Sequence, residues 1–274
     1  MAQPPHPTVA GRLARLAPGQ RPAATAPARP VLCVAPAGSG KTTTLVARVC
    51  WLVDGGADPA GITLVAVNKR AAEELVERLD VALAPLGCAA GAVRVQTFHA
   101  LGREILVDGG VSVDPLIDRD ELLRDLFPGI TRPDRGRLDL AFSRLKLDLR
   151  VTADQVAADP APGPVARAFV TYERAVLASG GVDFDDLVLR AIQALEYNER
   201  LLLRRRSRCS TLLVDEAQDL DRTQLDLALL LAGPERNLVA VGDDDQSLSR
   251  SWSVWACIGR PQERTRADEP GVVE

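Results

Sequence analysis

The stretch that decides the fold is residues 31–46, VLCVAPAGSGKTTTLV. It opens with a short apolar run, Val31–Ala35, which is typical of a buried strand, and a glycine-rich turn follows. From Thr42 to Val53 apolar residues recur at helical spacing, until Gly55 and Gly56 provide a helix end. A strand, a glycine-rich turn and a helix in this order predict a phosphate-binding loop.

The residue types of this loop fit that chemistry. Gly38 and Gly40 allow backbone N–H groups to turn inward around phosphate oxygens, and the helix that starts near Lys41 directs its positive end at the same charge. Lys41 would neutralise the β- and γ-phosphates, and the Thr42 hydroxyl would bind Mg²⁺. The alternative is an incidental Gly/Ser turn, and Ala35 stands where the general pattern has a glycine. The predicted ATP contacts are Ala37, Gly38, Ser39, Gly40, Lys41, Thr42 and Thr43.

Strands and helices alternate on both sides of a purely helical stretch. Buried strands are predicted at Ile62–Val67, Val93–Gln96, Thr211–Val214 and Leu238–Val241, with helices between them. This alternation indicates a parallel sheet that is covered on both faces. Between Gly109 and Gly181 only helical segments are predicted, namely Arg119–Leu126, Arg135–Leu149 and Val165–Ala178. The sequence therefore predicts an α/β fold with a parallel sheet that is interrupted by a helical insertion.

Acidic residues follow two of these strands. In LLVDEAQD, residues 212–219, Asp215 stands at the strand end and suits Mg²⁺, while Glu216 suits the orientation and deprotonation of an attacking water. In VGDDDQ, residues 241–246, Gln246 is a candidate for contact with a γ-phosphate. Asp243–Asp245 is either part of that site or only an acidic turn.

Composition limits the alternatives. The net charge is −4 and the pI is about 5.4, so any nucleic-acid contact requires a local basic patch. Five cysteines without a CxxC pair, and only two histidines, argue against a zinc site or a disulfide scaffold. The first residues lack the apolar segment of a secretory signal, and no run approaches a membrane span. We therefore expect a cytoplasmic protein without a membrane partner.

Six segments, in this order, resemble the UvrD/Rep-type superfamily 1 DNA helicases. LAPGQ ends at Gln20, the position that contacts adenine in that family, and APAGSGKTTTL resembles its motif I, where an alanine at the first position is usual. VNKRAAEELVERL, VQTFHALGREIL, VDEAQD and VGDDDQS resemble motifs Ia, Ib, II and the first half of III, and the family's FDDL element stands at Phe184–Leu187. The resemblance covers residues 16 to 250 approximately.

The resemblance implies a RecA-like P-loop NTPase sheet, called subdomain 1A, at residues 16–110 and 182–248. A helical subdomain 1B would occupy residues 111–181, after a flexible arm at 1–15 and before a divergent, loose tail at 249–274. Single-stranded DNA and its junctions with duplex are the implied partners. The implied DNA contacts are Asn68, Arg70, Thr97, Phe98 and His99.

Each of these DNA contacts has an alternative. Phe98 is either a ring that stacks on bases or a core residue, His99 either a DNA contact or a hydrogen-bonding residue at a helix start, and Arg70 either a contact or one more exposed helix charge. The cluster Arg200, Arg204, Arg205, Arg206 and Arg208 either contacts phosphate or forms the solvated face of a helix behind motif II, and the second is favoured.

The resemblance stops within motif III. The family continues with an aromatic and arginine element, whereas this chain continues as LSRSWSVWACIG, in which Arg250 aligns and Trp252 and Trp255 are possible displaced rings. Nothing after it resembles the second RecA-like domain, which carries the arginines that complete ATP hydrolysis. We therefore expect either the ATP-binding domain of a helicase with 3′-to-5′ polarity, or a truncated homologue that binds nucleotide or single strands without productive turnover. A different P-loop ATPase or kinase is a third possibility, which TFHALG and VDEAQD argue against.

Overall fold

A parallel β-sheet positions the residues singled out above. The computed structural model describes residues 4–27, 29–235 and 237–243, and a two-residue strand at 272–273. Within these ranges the strands are β1 (Val31–Val34), β2 (Ile62–Ala66), β3 (Arg94–Thr97), β4 (Thr211–Val214), β5 (Leu238–Gly242) and β6 (Val272–Val273). They are ordered β3-β2-β4-β5-β1-β6, and every pairing is parallel. The predicted α/β fold with a parallel sheet is confirmed.

The described residues also form twelve α-helices. These are α1 (Pro7–Ala14), α2 (Gln20–Thr25), α3 (Lys41–Asp54), α4 (Lys69–Leu83), α5 (Phe98–Asp108), α6 (Arg119–Leu126), α7 (Arg132–Ser143), α8 (Ala153–Ala157), α9 (Pro164–Ser179), α10 (Phe184–Tyr197), α11 (Glu199–Ser207) and α12 (Arg222–Ala232). Within the described part of the chain, none of them is both long and apolar enough to span a membrane.

The chain divides into two compact units. The first consists of Met1–Phe98, Leu202–Leu220 and Ala228–Glu274, and the second of His99–Leu201 and Asp221–Leu227. The first unit contains the sheet, whose strands β2, β4 and β5 are buried along their whole length. Such strands carry continuous apolar runs because helices cover both faces of a parallel sheet.

The second unit is helical and has its own core. Phe142 lies between Phe169 and Tyr172, with ring centroids 5.4 Å and 5.3 Å away, and Leu123 and Val176 complete the buried cluster. Beside it lies a group of buried charges. Lys146 Nζ is 3.0 Å from an oxygen of Glu173, 3.0 Å from one of Asp183 and 2.7 Å from one of Asp186. Arg119 contributes a second cation to Asp183 and to Asp185, at 2.6 Å from each.

Local sequence signals account for most helix ends. The Asn68 side chain accepts a hydrogen bond from Ala71 N at the start of α4, and Asp183 forms a capping box with Asp186 at the start of α10. Helix α9 starts at Pro164 and ends at Ser179, and the next residue, Gly180, has a φ of 68°, which suits a residue without a side chain.

The structure differs from the sequence-based expectations at the amino-terminal arm and within the helical insertion. Residues Pro7–Ala14 form α1 where a flexible arm was expected, because Val9 and Leu13 are buried and His6 N donates to Asp54 at the end of α3. The predicted helix Arg135–Leu149 is instead α7 followed by a π-helical turn at Arg144–Asp148. Helices α2 and α8 were not predicted. The tail at 249–274 lies outside the described residues, apart from β6.

Candidate functional site

Several candidate residues meet at one edge of the sheet. Because all strands are parallel, their carboxyl ends lie on the same side, where ligands bind in such sheets. The loop after β1 runs into α3, Asp215 and Glu216 follow β4, and Asp243 follows β5. In the first unit, therefore, three sequence segments that lie far apart along the chain meet at the carboxyl edge.

Lys41 is buried at the first residue of α3 and is held by the loop itself. Its Nζ donates to the carbonyl oxygens of Ala35 at 3.1 Å and Pro36 at 3.5 Å, and lies 3.8 Å from an oxygen of Asp243. Gly40 precedes it with a φ of 85°, a conformation that favours glycine. The lysine amine therefore lies inside the loop, with one carboxylate as its counterion.

Gln20, the residue expected to contact adenine, lies against the same loop. Its Nε2 donates to Ser39 O, and its Oε1 accepts from Ala17 N at 2.9 Å. A Cβ at Gly40 would lie only 2.7 Å from Gln20 Nε2. Gly40 is thus favoured by its backbone conformation, and a side chain at this position would also displace the end of the Gln20 side chain.

Asp215 and Glu216 form an acidic pair after β4. Asp215 is 5% exposed, and its pKa is raised to about 6, first by burial and then by the charge of Glu216. Lys41 and Arg78 have smaller, opposite effects on the same pKa. Glu216 has a φ of 50°, an uncommon value for a residue with a side chain, and strained backbone of this kind is typical of functional positions.

Gln218 links this pair to β5, a role that the sequence analysis missed. Its Nε2 donates to Glu216 Oε2 at 2.8 Å, and its Oε1 accepts from Asp243 N at 2.9 Å. One oxygen of the Glu216 carboxylate is thereby held by a buried amide. The only signal in the sequence was a glutamine two residues after Glu216 in DEAQD.

The donor set fits Mg²⁺. Asp215 is a buried carboxylate whose charge is disfavoured by its surroundings, so a nearby divalent cation would favour its ionised form. Thr42, partly buried after Lys41, offers a hydroxyl oxygen, and Mg²⁺ prefers oxygen ligands of these kinds together with substrate phosphates. Among the described residues no group of three or more His, Cys, Asp or Glu side chains forms another candidate metal site.

The carboxyl edge also carries three of the candidate DNA contacts. Asn68 and Arg70 follow β2 and are exposed, and Thr97 ends the neighbouring strand β3. Asn68 has a structural task as well, since it caps α4. The edge therefore continues from the phosphate loop to a polar, solvent-accessible margin at β2 and β3.

The burial of Phe98 argues against its predicted role as a ring that stacks on bases. Phe98 is only 3% exposed, which favours the core alternative over base stacking. In the second unit, Phe184 of the FDDL element is 55% exposed and packs edge-on against His99, with ring centroids 6.0 Å apart. Burial lowers the pKa of His99, while Asp185 and Asp183 oppose that shift. Of these two phenylalanines, Phe184 is therefore the one whose ring is exposed to solvent.

The remaining candidates either lie outside the described residues or belong to the arginine cluster. Gln246, with Asp244 and Asp245, lies outside the described residues, as do Arg250, Trp252 and Trp255. Within the arginine cluster, Arg205 is buried and Arg206 Nε donates to Leu230 O at 2.9 Å, so these two do not belong to a solvated face. The exposed members are Arg200, Arg204 and Arg208.

Comparison with known proteins is consistent with this geometry. The profile of the UvrD/REP helicase N-terminal domain matches residues 16–250. The chain belongs to the UvrD/REP helicase family. Its relatives include the ATP-dependent DNA helicase Rep of Escherichia coli K12, 34% identical over 254 residues that cover 87% of this chain and 37% of Rep.

Two further relatives in the UvrD/REP family give the same picture. DNA helicase II of E. coli K12 is 32% identical over 84% of this chain and 33% of its own length. The ATP-dependent DNA helicase PcrA of Staphylococcus aureus Mu50 is 29% identical over 80% of this chain and 32% of its own length. The chain therefore spans about a third of the length of the curated relatives it matches.

Proposed function

We propose that this chain is the Mg-ATP-binding part of a UvrD/REP-family DNA helicase, with a RecA-like sheet and a helical insertion. The observation that supports this most directly is the meeting of Lys41, the Asp215–Glu216 pair and Asp243 at one sheet edge, with Lys41 Nζ 3.8 Å from Asp243. A lysine in a glycine-rich loop, with these three carboxylates at the same sheet edge, is what binding of a metal-bound triphosphate requires.

The roles of the residues follow from their chemistry. Lys41 exchanges the Ala35 and Pro36 carbonyls for the β- and γ-phosphate oxygens of ATP, and the backbone of residues 37–43 surrounds those phosphates. Thr42 and Asp215 hold Mg²⁺, which when bound neutralises phosphate charge. Gln20 contacts the adenine base, as the family resemblance implies.

Hydrolysis depends on Glu216. With one carboxylate oxygen held by Gln218, the other accepts a proton from a water that attacks the γ-phosphorus. The bond from that phosphorus to the bridging oxygen breaks, and the products are ADP and inorganic phosphate. We propose that Gln246 senses the γ-phosphate.

Single-stranded DNA binds the margin of the site in this proposal. In the first unit, Asn68, Arg70 and Thr97 contact the phosphate backbone. In the second unit, the exposed ring of Phe184, with His99 beside it, is a separate candidate for stacking on a base. Stacking tolerates any base sequence, as a translocating helicase needs. In the complete enzyme, 3′-to-5′ translocation and unwinding require a second RecA-like domain that closes on ATP.

The second candidate function is binding of nucleotide and single strands without productive turnover. It is motivated by the segment LSRSWSVWACIG, which departs from the aromatic and arginine element that the family has after VGDDDQS. ATPase activity with and without oligo-dT separates the two functions. Robust stimulated turnover by this chain would exclude the binding-only function.

Calorimetry of Mg-ATP binding tests the site itself. Lys41→Ala is expected to abolish binding, whereas Lys69→Ala, which removes a side chain that is 90% exposed and pairs with Glu73, retains it. Equal affinity in Lys41→Ala and the wild-type chain would refute the phosphate-loop assignment.

A further inference from the structure

Arg48 is a buried cation on α3, the helix that follows the phosphate loop. It is only 1% exposed. Its guanidinium donates to three backbone carbonyls, those of Ala24 at 3.4 Å, Ala26, and Pro27 at 3.3 Å. These carbonyls belong to the last turn of α2 and the two residues after it. Arg48 thus fastens the end of α2 to α3.

A buried arginine is an unfavourable way to fill space in the core, because its charge is costly to remove from water. The partners of Arg48 among the described residues are carbonyl oxygens and not a carboxylate, and burial lowers its pKa to about 10, so the side chain stays charged at neutral pH. Its Nε has no partner among those residues. Burying a charge without an opposite charge is costly, and an apolar side chain would fill the same space at lower cost. The carbonyl end of a helix does attract a cation, however, and this attraction fixes where the end of α2 lies relative to Arg48.

The other end of α2 contacts the phosphate loop. Gln20, the first residue of α2, donates to Ser39 O, and its Nε2 lies 2.7 Å from the position that a Cβ of Gly40 would take. A six-residue helix is about 9 Å long, close to the roughly 10 Å that separates Lys41 from Arg48 along α3. Helix α2 is therefore tied to the loop by Gln20 and to α3 by Arg48.

We propose that Arg48 is a positioning residue: by fixing the carbonyl end of α2 it sets the place of Gln20 beside the phosphate loop, and thereby the preference for adenine over other bases. This inference rests on the proposed nucleotide site and on the role of Gln20 within it. Arg48 itself does not contact the nucleotide.

The test is the ratio of Mg-GTP to Mg-ATP dissociation constants, measured by calorimetry on the full chain. Gln20→Ala is expected to lower that ratio roughly five- to tenfold, the effect of losing one hydrogen bond. Arg48→Met is expected to lower it by a similar factor, and to have no further effect when Gln20 is already alanine. Arg48→Lys keeps the charge but has fewer hydrogen-bond donors, so its ratio should lie between those of the wild-type chain and Arg48→Met. It provides the test if Arg48→Met does not fold.

Cys50→Ala is the matched control. Cys50 lies on the same helix and is equally buried, but its Sγ faces Ala82 O of α4. Its replacement should lower stability without changing the base preference. The inference would be overturned if Gln20→Ala lowers the ratio of dissociation constants while Arg48→Lys, and Arg48→Met if it folds, leave that ratio unchanged. If Gln20→Ala leaves the ratio unchanged, both the role of Gln20 and the inference about Arg48 are overturned. The phosphate site is tested separately, by Mg-ATP binding to Lys41→Ala.

Discussion

Gln218 Nε2 donates a hydrogen bond to Glu216 Oε2 over 2.8 Å, and this bond connects the acidic pair to the rest of the site. The same amide accepts a hydrogen bond from Asp243 N, and the Asp243 carboxylate faces Lys41. Side chains from three loops therefore form one chain of polar contacts.

Replacement of Gln218 should slow chemistry without weakening binding. In Gln218→Leu the Glu216 carboxylate loses its buried donor, so we expect the rate of ATP hydrolysis to fall at least about tenfold, within the range that a positioned base contributes. The Mg-ATP dissociation constant should stay within about twofold of the wild-type value. Single-turnover hydrolysis of radiolabelled ATP, together with calorimetry, measures both quantities.

Asn237→Leu controls for the loss of an amide between β4 and β5. Asn237 Nδ2 donates to Ser210 O and to Thr211 Oγ1, each at 2.8 Å, at the opposite end of these strands. Its replacement should cost stability and leave the hydrolysis rate unchanged. Equal rates in Gln218→Leu and Asn237→Leu would contradict the proposed orientation of Glu216.

Asp215 should destabilise the nucleotide-free protein at neutral pH. Its pKa rises from 3.8 to about 6 on folding, so the folded chain binds the proton more tightly than the unfolded chain does. The contribution to stability is full below pH 3.8 and is lost as pH rises through 6. Asp215→Asn should therefore raise the free energy of unfolding at pH 8 by roughly 1–3 kcal/mol, and by little at pH 4. Urea denaturation at both pH values provides the measurement, and a pH-independent difference would show that charge is not the cause.

Replacement of Phe98 should lower stability, whereas replacement of Phe184 should weaken DNA binding. Phe98→Ala creates a cavity in the core and should cost about 3–5 kcal/mol of stability. Phe184→Ala should change stability little and weaken oligo-dT binding by about 1–3 kcal/mol, the value of one stacked base. Thermal unfolding and fluorescence anisotropy distinguish them. Full oligo-dT affinity in Phe184→Ala would exclude the stacking role.

Lys146 should be essential for the stability of the helical unit. Removing its charge in Lys146→Met leaves Asp183 and Asp186 buried with less compensation, and we expect a loss of about 3–5 kcal/mol at pH 7. The pKa of Asp183 is lowered, despite burial, mainly by Lys146 and Arg119, so its stabilising effect exists at neutral pH and fades in acid. The cost of Lys146→Met should accordingly shrink toward pH 3. Lys69→Met, at an exposed site, should cost less than about 1 kcal/mol in the same denaturation experiment.

Local signals made part of this structure predictable from sequence. The phosphate loop, the buried strands and the strand-end acids depend on neighbouring residues, so their positions were predicted within a residue or two. Helix α1 was missed because its proline- and alanine-rich sequence is ordered by burial against the rest of the unit. The roles of Gln218 and Arg48 depend on partners 25 and more than 20 residues away, which no local pattern reveals. For Phe98 and Phe184 only tertiary packing decides which ring is exposed.

The position of β1 in the sheet has a consequence for synthesis on the ribosome. Its hydrogen-bonding neighbours are β5 and β6, so about 200 residues separate it from the nearest strand with which it pairs. At roughly 5–20 residues per second, a nascent chain exposes this apolar segment for some 10–40 s before a partner emerges. β2 and β3, by contrast, pair within a short stretch. The β1 segment is therefore the part of the chain that stays longest without its partner strands during translation.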